Sequence, residues 1–360
     1  MTPQNQSNPL APLESLLNDP HILEIMAAGY DNVQVERDGK LEDIPSPFKS
    51  EAHLLDVIEA LLAPLGIKAD ESNPLVDARL FDGSRVNVVM PPICLNGPVL
   101  TIRKFLYRKL TLQDLLRFHS LNEAMVDFLR ACVRGRLNMV IAGGTNSGKT
   151  TVLNLVGGMI PDDERILVVQ NATEFRLPQK WVITLESRPP NLEGKGEVTV
   201  QDLVINALRM RPDRLIVGEV RGAEALEVIQ AINNGHEGTM MNIHASSPRD
   251  VLSRLETMVT YANLSIPLLS IRKMIASAID VITYQERLPD GSRKVTKISE
   301  VLGMQGDVIE LKDIFEFRQT GVKDGKISGH FTATGHIPQF LSRLQSASGA
   351  EVPLSLFTPR

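Results

Sequence analysis

The chain has 360 residues, of which 43% are hydrophobic and 22% charged, with a formal net charge of −5 at pH 7. This is the composition of a soluble globular protein of about two domains, and the acidic balance excludes a dedicated nucleic-acid coat while leaving room for local basic patches. No apolar run approaches the ~20 residues needed to cross a bilayer, and no signal peptide opens the chain. Two isolated cysteines, Cys94 and Cys132, cannot build a four-cysteine zinc site and suit a reducing compartment, so a cytoplasmic location is expected.

Residues 1–10 are polar and turn-rich and are expected to be disordered. A first, small α+β domain is expected over 11–110. Helical spacing occurs at 13–17 and 53–62, and strand patterns at 33–36, 84–89 and 99–103. Asp82-Gly83 predicts a hairpin turn between 78–81 and 85–89. Thr111-x-x-Asp114 and Ser120-x-x-Glu123 read as capping boxes that open two successive helices and mark entry into a second domain, 111–320.

From Asn138 onward, strands at 139–142, 166–169, 182–185 and 215–217 alternate with helices at 150–159, 200–210 and 223–234. That alternation predicts an α/β domain with a largely parallel sheet covered by helices. Ser247-Pro248-x-Asp250 predicts a helix start. After about 281 the pattern turns to strands at 281–285, 295–301 and 308–313, read as a β-rich appendage. Residues 321–360 read as a glycine- and serine-rich tail with a short helical pattern at 337–344.

The most informative stretch is Gly143-Gly144-Thr145-Asn146-Ser147-Gly148-Lys149-Thr150, in the spacing G-x-x-x-x-G-K-[ST]. Glycines let the backbone curl so that its N–H groups converge on phosphate oxygens. The lysine reaches the terminal phosphates, and the Thr150 hydroxyl ligates Mg²⁺. The apolar strand before it and the helix opening at Thr151 put a helix N-terminus under the anion. The expected cofactors are therefore ATP and Mg²⁺.

Hydrolysis also needs an oriented water and charge compensation. The run Leu215-Ile216-Val217-Gly218-Glu219 resembles a Walker B strand and delivers Glu219 to the sheet's carboxyl edge, against the alternative of a core strand ending in a surface Glu-Arg pair. His236 and His244 flank another strand-like segment. Each is either a hydrogen-bonding group near the phosphate or a structural histidine, with His244 favoured for the site. Arginines at 188, 209, 211, 214 and 221 include candidates for pairing with phosphate or with a neighbouring subunit.

From about residue 14 to residue 320 these segments resemble the secretion "traffic" ATPases of type II secretion, type IV secretion and type IV pili. Within that superfamily the chain looks most like the CpaF-type ATPases of Tad pili. The carrying residues are Val76-Asp77-Ala78-Arg79-Leu80, Asp82-Gly83-Ser84-Arg85-Val86-Asn87, Leu100-Thr101-Ile102-Arg103-Lys104-Phe105, Arg188-Pro189-Pro190-Asn191 and Arg209-Met210-Arg211-Pro212-Asp213-Arg214.

The resemblance implies a RecA-like ATPase domain behind a small α+β domain. It also implies a hexameric ring and docking on an inner-membrane platform that extends or retracts a pilus. It assigns Lys149 and Thr150 to phosphate and Mg²⁺, Glu219 to the Walker B carboxylate, His244 to the His box and Arg103 to a nucleotide-side arginine. Related Tad ATPases usually carry a longer region ahead of the segment that begins here near Pro12.

The family's Asp box normally has a Glu-Asp pair followed three residues later by Glu. Here it reads Gln170-Asn171-Ala172-Thr173-Glu174, so only Glu174 keeps its carboxylate; Asn242 also stands where a threonine is usual. An amide can orient water but cannot take its proton. Slow hydrolysis through Glu219 and Glu174, or a nucleotide-binding subunit of weak turnover, are the two readings this leaves, beside substitutions introduced by engineering. A nucleic-acid motor is not expected, because Trp181 and four tyrosines offer little stacking surface for a strand.

Overall fold

A computed structural model describes residues 8–37, 39–104, 110–171, 175–190, 194–348 and 352–359. The expected disordered start, 1–10, lies mostly outside them. The chain divides into two units, Met1–Lys109 and Leu110–Arg360.

In the first unit, α1 (Ala11–Asn18) leads into β1 (Ile22–Ala28), β2 (Val33–Arg37) and β3 (Lys40–Ile44). Then come α2 (Glu51–Leu62), β4 (Leu75–Arg79), β5 (Arg85–Val89) and β6 (Val99–Arg103). The strands form one antiparallel sheet in the order β3-β2-β1-β6-β5-β4. Alternation explains its core. Ile25 and Ala27 of β1, Val86 and Val88 of β5 and Leu100 and Ile102 of β6 point to one side. There they bury against Leu54, Val57, Ile58 and Leu61, spaced for one face of α2. The Asp82-Gly83 turn sits between β4 and β5, with Arg79 facing Arg85.

The second unit contains α3 (Leu112–Arg117), α4 (Glu123–Arg134), β7 (Met139–Gly143), α5 (Lys149–Gly157), β8 (Ile166–Gln170) and β9 (Val182–Glu186). These are followed by α6 (Val200–Leu208), β10 (Arg214–Val220), α7 (Glu224–Asn233), β11 (Met240–His244), α8 (Pro248–Thr260) and α9 (Leu268–Ala278). Last are β12 (Val281–Arg287), β13 (Arg293–Gln305), β14 (Val308–Lys323), β15 (Lys326–Ala333) and α10 (Leu341–Ser348). The Thr111–Asp114 capping box is present, but α4 is capped by Asn122, whose side chain accepts from Met125 N–H. Ser120 lies outside the helix, and its carbonyl instead accepts from Val295 N–H.

One nine-stranded sheet runs β15-β14-β13-β12-β7-β11-β10-β8-β9. β12 to β9 are mutually parallel, and β13 to β15 continue antiparallel. The segment expected as a β-rich appendage from 281 is therefore the other half of the central sheet. β12 pairs directly with β7, Val281 to Met139 through Gln285 to Gly143. The expected tail is also folded: residues 321–323 complete β14, β15 is an edge strand, and Leu344, Val352 and Phe357 pack into the core.

Alternation splits the parallel strands between two layers. Val140, Ala142, Leu167, Val169, Leu215 and Val217 face α6, α7, α8 and α9. Met139, Ile141, Ile166, Val168 and Ile216 face α4 and α5, where Phe128 meets Phe315 and Phe357 with ring centroids 5.4 and 6.0 Å apart. A sheet buried on both faces by helices is the arrangement the β/α alternation demands.

The largest fully buried side chain is Arg214, at the start of β10. Its guanidinium donates to both carboxylate oxygens of Glu164 at 2.6 and 3.1 Å and to the Val133 carbonyl at 2.8 Å. Arg136 adds a further bond to Glu164 at 2.8 Å. Removing the carboxylate would strand a buried cation. Glu164→Ala is expected to cost about 3–5 kcal/mol, read from chemical denaturation.

Candidate functional site

The site is built at the carboxyl ends of parallel strands β7, β11, β10 and β8, the edge where open α/β sheets bind ligands. β11 lies between β7 and β10, and His244, its last residue, is directly opposite Gly143. The Gly143–Thr150 loop leaves β7 at this edge and enters α5, whose N-cap Gly148 is left-handed (φ 94°) and offers no side-chain cap. Helices α3, α6 and α8 begin instead on Thr111, Thr199 and Ser247 caps. A helix start without a side-chain acceptor, following a glycine loop, fits a phosphate group.

Two glycines in the loop have separate reasons. At Gly143 a Cβ would collide with the carbonyl oxygen of Gln285 on β12, so only glycine lets the two strands pair there. Gly148 supplies a conformation that residues with a Cβ rarely adopt. Gly144 faces open space and is not required by packing.

Lys149 is buried, with its Nζ donating to the Gly144 carbonyl at 2.7 Å. Ser147 is buried too, and its Oγ has no partner among the described residues. Thr145 Oγ1 lies 3.1 Å from His244 Nε2. Thr150 and Thr151 are half-buried in the first turn of α5, and Asn146 is exposed with φ 57°. The residues present therefore fit a nucleoside triphosphate with a divalent cation, Thr150 being the cation candidate.

Glu219 stands near the end of β10 in a β-bulge, because Val217 pairs with Met241 while Val220 pairs with Ile243. Two residues, Gly218 and Glu219, thus face one on β11, which re-aims the carboxylate relative to a regular strand. Gly218 is forced by packing, since a Cβ would approach Gln170 Cβ to 2.8 Å and the Phe175 ring to 3.0 Å. Glu219 accepts a bond from Arg221.

Burial first, then the Lys149 ammonium, pushes His244 below its ordinary pKa, and the Glu219 carboxylate opposes that only in part. His244 is therefore neutral at pH 7, and its ring can both donate and accept.

Other expectations fall elsewhere. His236 lies ahead of β11, at the strand's opposite end, with its ring Nδ1 3.1 Å from the Ala231 carbonyl; it is a structural histidine. Arg214 is likewise structural. Arg103 is on β6 of the first unit, where it meets Glu24 at 3.7 Å. Glu174 lies outside the described residues.

Gln170 is 2% exposed at the end of β8, and its Oε1 accepts from Phe175 N–H at 3.4 Å. Asn171 accepts from Ser187 Oγ at 2.9 Å. Sequence reading missed Gln285 and Arg293, which touch the phosphate loop from β12 and β13. Their separation from it by more than 130 residues leaves no local signal.

Strand, glycine loop and helix, with an acidic residue and a histidine on the next strands, define a P-loop nucleotide-binding domain of the RecA-like kind. The family model for the type II/IV secretion system protein matches residues 6–329, and the chain belongs to that family. It is 30% identical over 298 residues to the conjugal transfer protein TrbB of Rhizobium radiobacter, covering 81% of this chain and 86% of that one. It is 29% identical over 326 residues to the type IV secretion system protein VirB11 of Bartonella quintana, covering 80% and 91%.

Its fold is similar to that of the pilus retraction motor PilT with bound ADP (TM-score 0.57, 18% identity, 84% and 82% covered). It is also similar to that of the Legionella pneumophila ATPase DotB (TM-score 0.55, 19% identity, 80% and 79% covered). Among the described residues, no helix is long and apolar enough to cross a membrane.

The histidine's environment is directly testable. Lys149→Ala removes a neighbouring cation, so the His244 ring is expected to titrate at higher pH than in the parent protein, followed by NMR of its ring protons.

Proposed function

We propose that this protein is a Mg²⁺-dependent ATPase that powers assembly or retraction of a Tad or type IV-like pilus. In this reading it works as a hexameric ring in the cytoplasm, docked on inner-membrane platform proteins. The observation that carries the reading is the convergence of Lys149, Glu219 and His244 on one edge of one parallel sheet, beside a helix N-terminus without a side-chain cap.

Lys149, the loop N–H groups and the start of α5 bind and orient the phosphates, and Thr150 holds Mg²⁺. Bound Mg²⁺ supplies charge neutralisation on the phosphate oxygens. Glu219 takes the proton of the attacking water, directly or with Glu174. Neutral His244, held by Thr145, donates a hydrogen bond toward the terminal phosphate. Arg103 is the proposed arginine of the first unit that responds to the nucleotide.

A second reading, an ATPase of a conjugal or other type IV secretion apparatus, is favoured by TrbB and VirB11 relatives that match over most of both chains. Restoration of pili, rather than of conjugal transfer, in strains lacking the corresponding ATPase separates the two. Phosphate release by the purified protein is expected to exceed that of Lys149→Ala by about 10²-fold or more. Equal rates would leave a nucleotide-binding subunit without turnover.

For Gln170 we propose a structural rather than a catalytic part. Its side chain is buried against Gly218 and Phe175, with Oε1 accepting from Phe175 N–H at 3.4 Å, which favours a structural role. Gln170→Glu is therefore expected to bury a carboxylate and lower the melting temperature by about 4–8 °C, without raising turnover. A gain in turnover would restore a catalytic role to that position.

A further inference from the structure

The phosphate loop is gripped from a part of the chain that lies far downstream in sequence. Arg293, the first residue of β13, donates from Nε to the Asn146 carbonyl at 2.8 Å. Across the turn it pairs with Arg287 of β12, the strand whose Gln285 carbonyl abuts Gly143. A Cβ at Gly148 would lie 3.2 Å from Gln285 Nε2 and 3.3 Å from Arg293 Cδ, so these two side chains back the loop where it enters α5.

The turn carrying Arg293 is itself braced. Asp290 accepts from Ser292 N–H at 2.9 Å, from Ser292 Oγ at 2.6 Å and from Ile327 N–H of β15 at 2.8 Å.

The geometry points to Arg293 as a positioning residue for nucleotide binding, acting through the peptide that joins Asn146 to Ser147. In a trans peptide the C=O and N–H point to opposite sides. Holding the Asn146 oxygen outward on a guanidinium therefore turns the Ser147 N–H inward. There it points at the Gly144 carbonyl, 3.4 Å away, the same oxygen that receives Lys149 Nζ at 2.7 Å. Two donors are thus aimed at one point inside the loop, where a phosphate oxygen would compete for both.

The hold matters because Asn146 sits at φ 57°, uncommon for a residue with a Cβ, and because donors aimed at one point repel one another. Arg293 itself is exposed, so its worth is local to the loop rather than to the core.

The inference rests on reading 143–150 as a phosphate site but not on hydrolysis, so binding is the direct test. Titration with fluorescent ADP, and competition by ADP and by a non-hydrolysable ATP analogue, compare the parent chain with Arg293→Ala, Arg293→Lys and Lys149→Ala. If the parent binds neither nucleotide, the site reading itself fails.

With the parent binding, Arg293→Ala is expected to weaken ADP and the ATP analogue alike by about tenfold, as for the loss of one charge-assisted hydrogen bond. Arg293→Lys should recover part of that loss, because an ammonium can still reach a carbonyl. At saturating ATP the turnover number should stay within about twofold of the parent, so that KM rises while kcat holds, and the melting temperature should not move. Unchanged affinities would overturn the proposal. So would a loss for the ATP analogue much larger than for ADP, which marks direct contact with the terminal phosphate. A loss matched by a fall in melting temperature would mark a structural role instead.

Discussion

The candidate site depends on the close approach of two backbones at Gly143. β7 is paired on both sides, by β11 and by β12, and at its last residue the β12 carbonyl occupies the space a side chain would need. Strand spacing in a sheet is fixed by hydrogen-bond length, so the only adjustable quantity is the side chain, and it is reduced to a hydrogen. The loop that follows thereby starts from a point fixed to neighbours on either hand. His244 is registered to that point by direct pairing, and Glu219 through β11. The relative positions of phosphate loop, histidine and carboxylate are thus a property of sheet register rather than of flexible loops.

Much of the second unit was legible because strands buried on both faces read as short apolar runs and helices between them as 3.6-residue stripes. What escaped has physical causes. β1 is an interior strand, yet apart from Ile22 and Ile25 its residues Leu23, Glu24, Met26, Ala27 and Ala28 favour helices, so only its partners β2 and β6 reveal it. β3 is an edge strand with Lys40, Leu41, Glu42 and Asp43 all exposed and shows no apolar alternation. β15 contains Gly329 and polar neighbours and is stabilised by pairing with β14 rather than by its own pattern. Division of the sheet into core and appendage at 281 failed for the same reason. Turn-rich antiparallel strands look like a separate module until the β12–β7 pairing is seen.

At the site, spacing alone singled out the 143–150 loop and the residues near the ends of β10 and β11, since each follows a distinct apolar run. The bulge that aims Glu219 had one visible trace, the glycine before it, whose meaning emerges only when Gln170 and Phe175 are seen packed against it. Gln170 itself illustrates the converse. A change from acid to amide invites a catalytic explanation, whereas the burial of this side chain at a strand end, with Oε1 toward the Phe175 N–H, emerges only in three dimensions. Gln285 and Arg293 carried no signal at all, because their partners are set by register between strands distant in sequence.

The extra residue in β10 also sets a rule of parity. A strand's side chains alternate between its two faces, and the bulge absorbs the added position so that Val217 and Val220 bury in the same layer as Met241 and Ile243. With Gly218 present, Val220 buries while its predecessor keeps about a quarter of its side chain in solvent. Excising that single glycine would leave Val220 opposite Ile243 but set Glu219 squarely opposite Asn242, so the acid alone would lose its present aim. Length at this point of the chain is therefore as strictly specified as residue identity, and alignments that slide a gap through it would misassign which atom meets water.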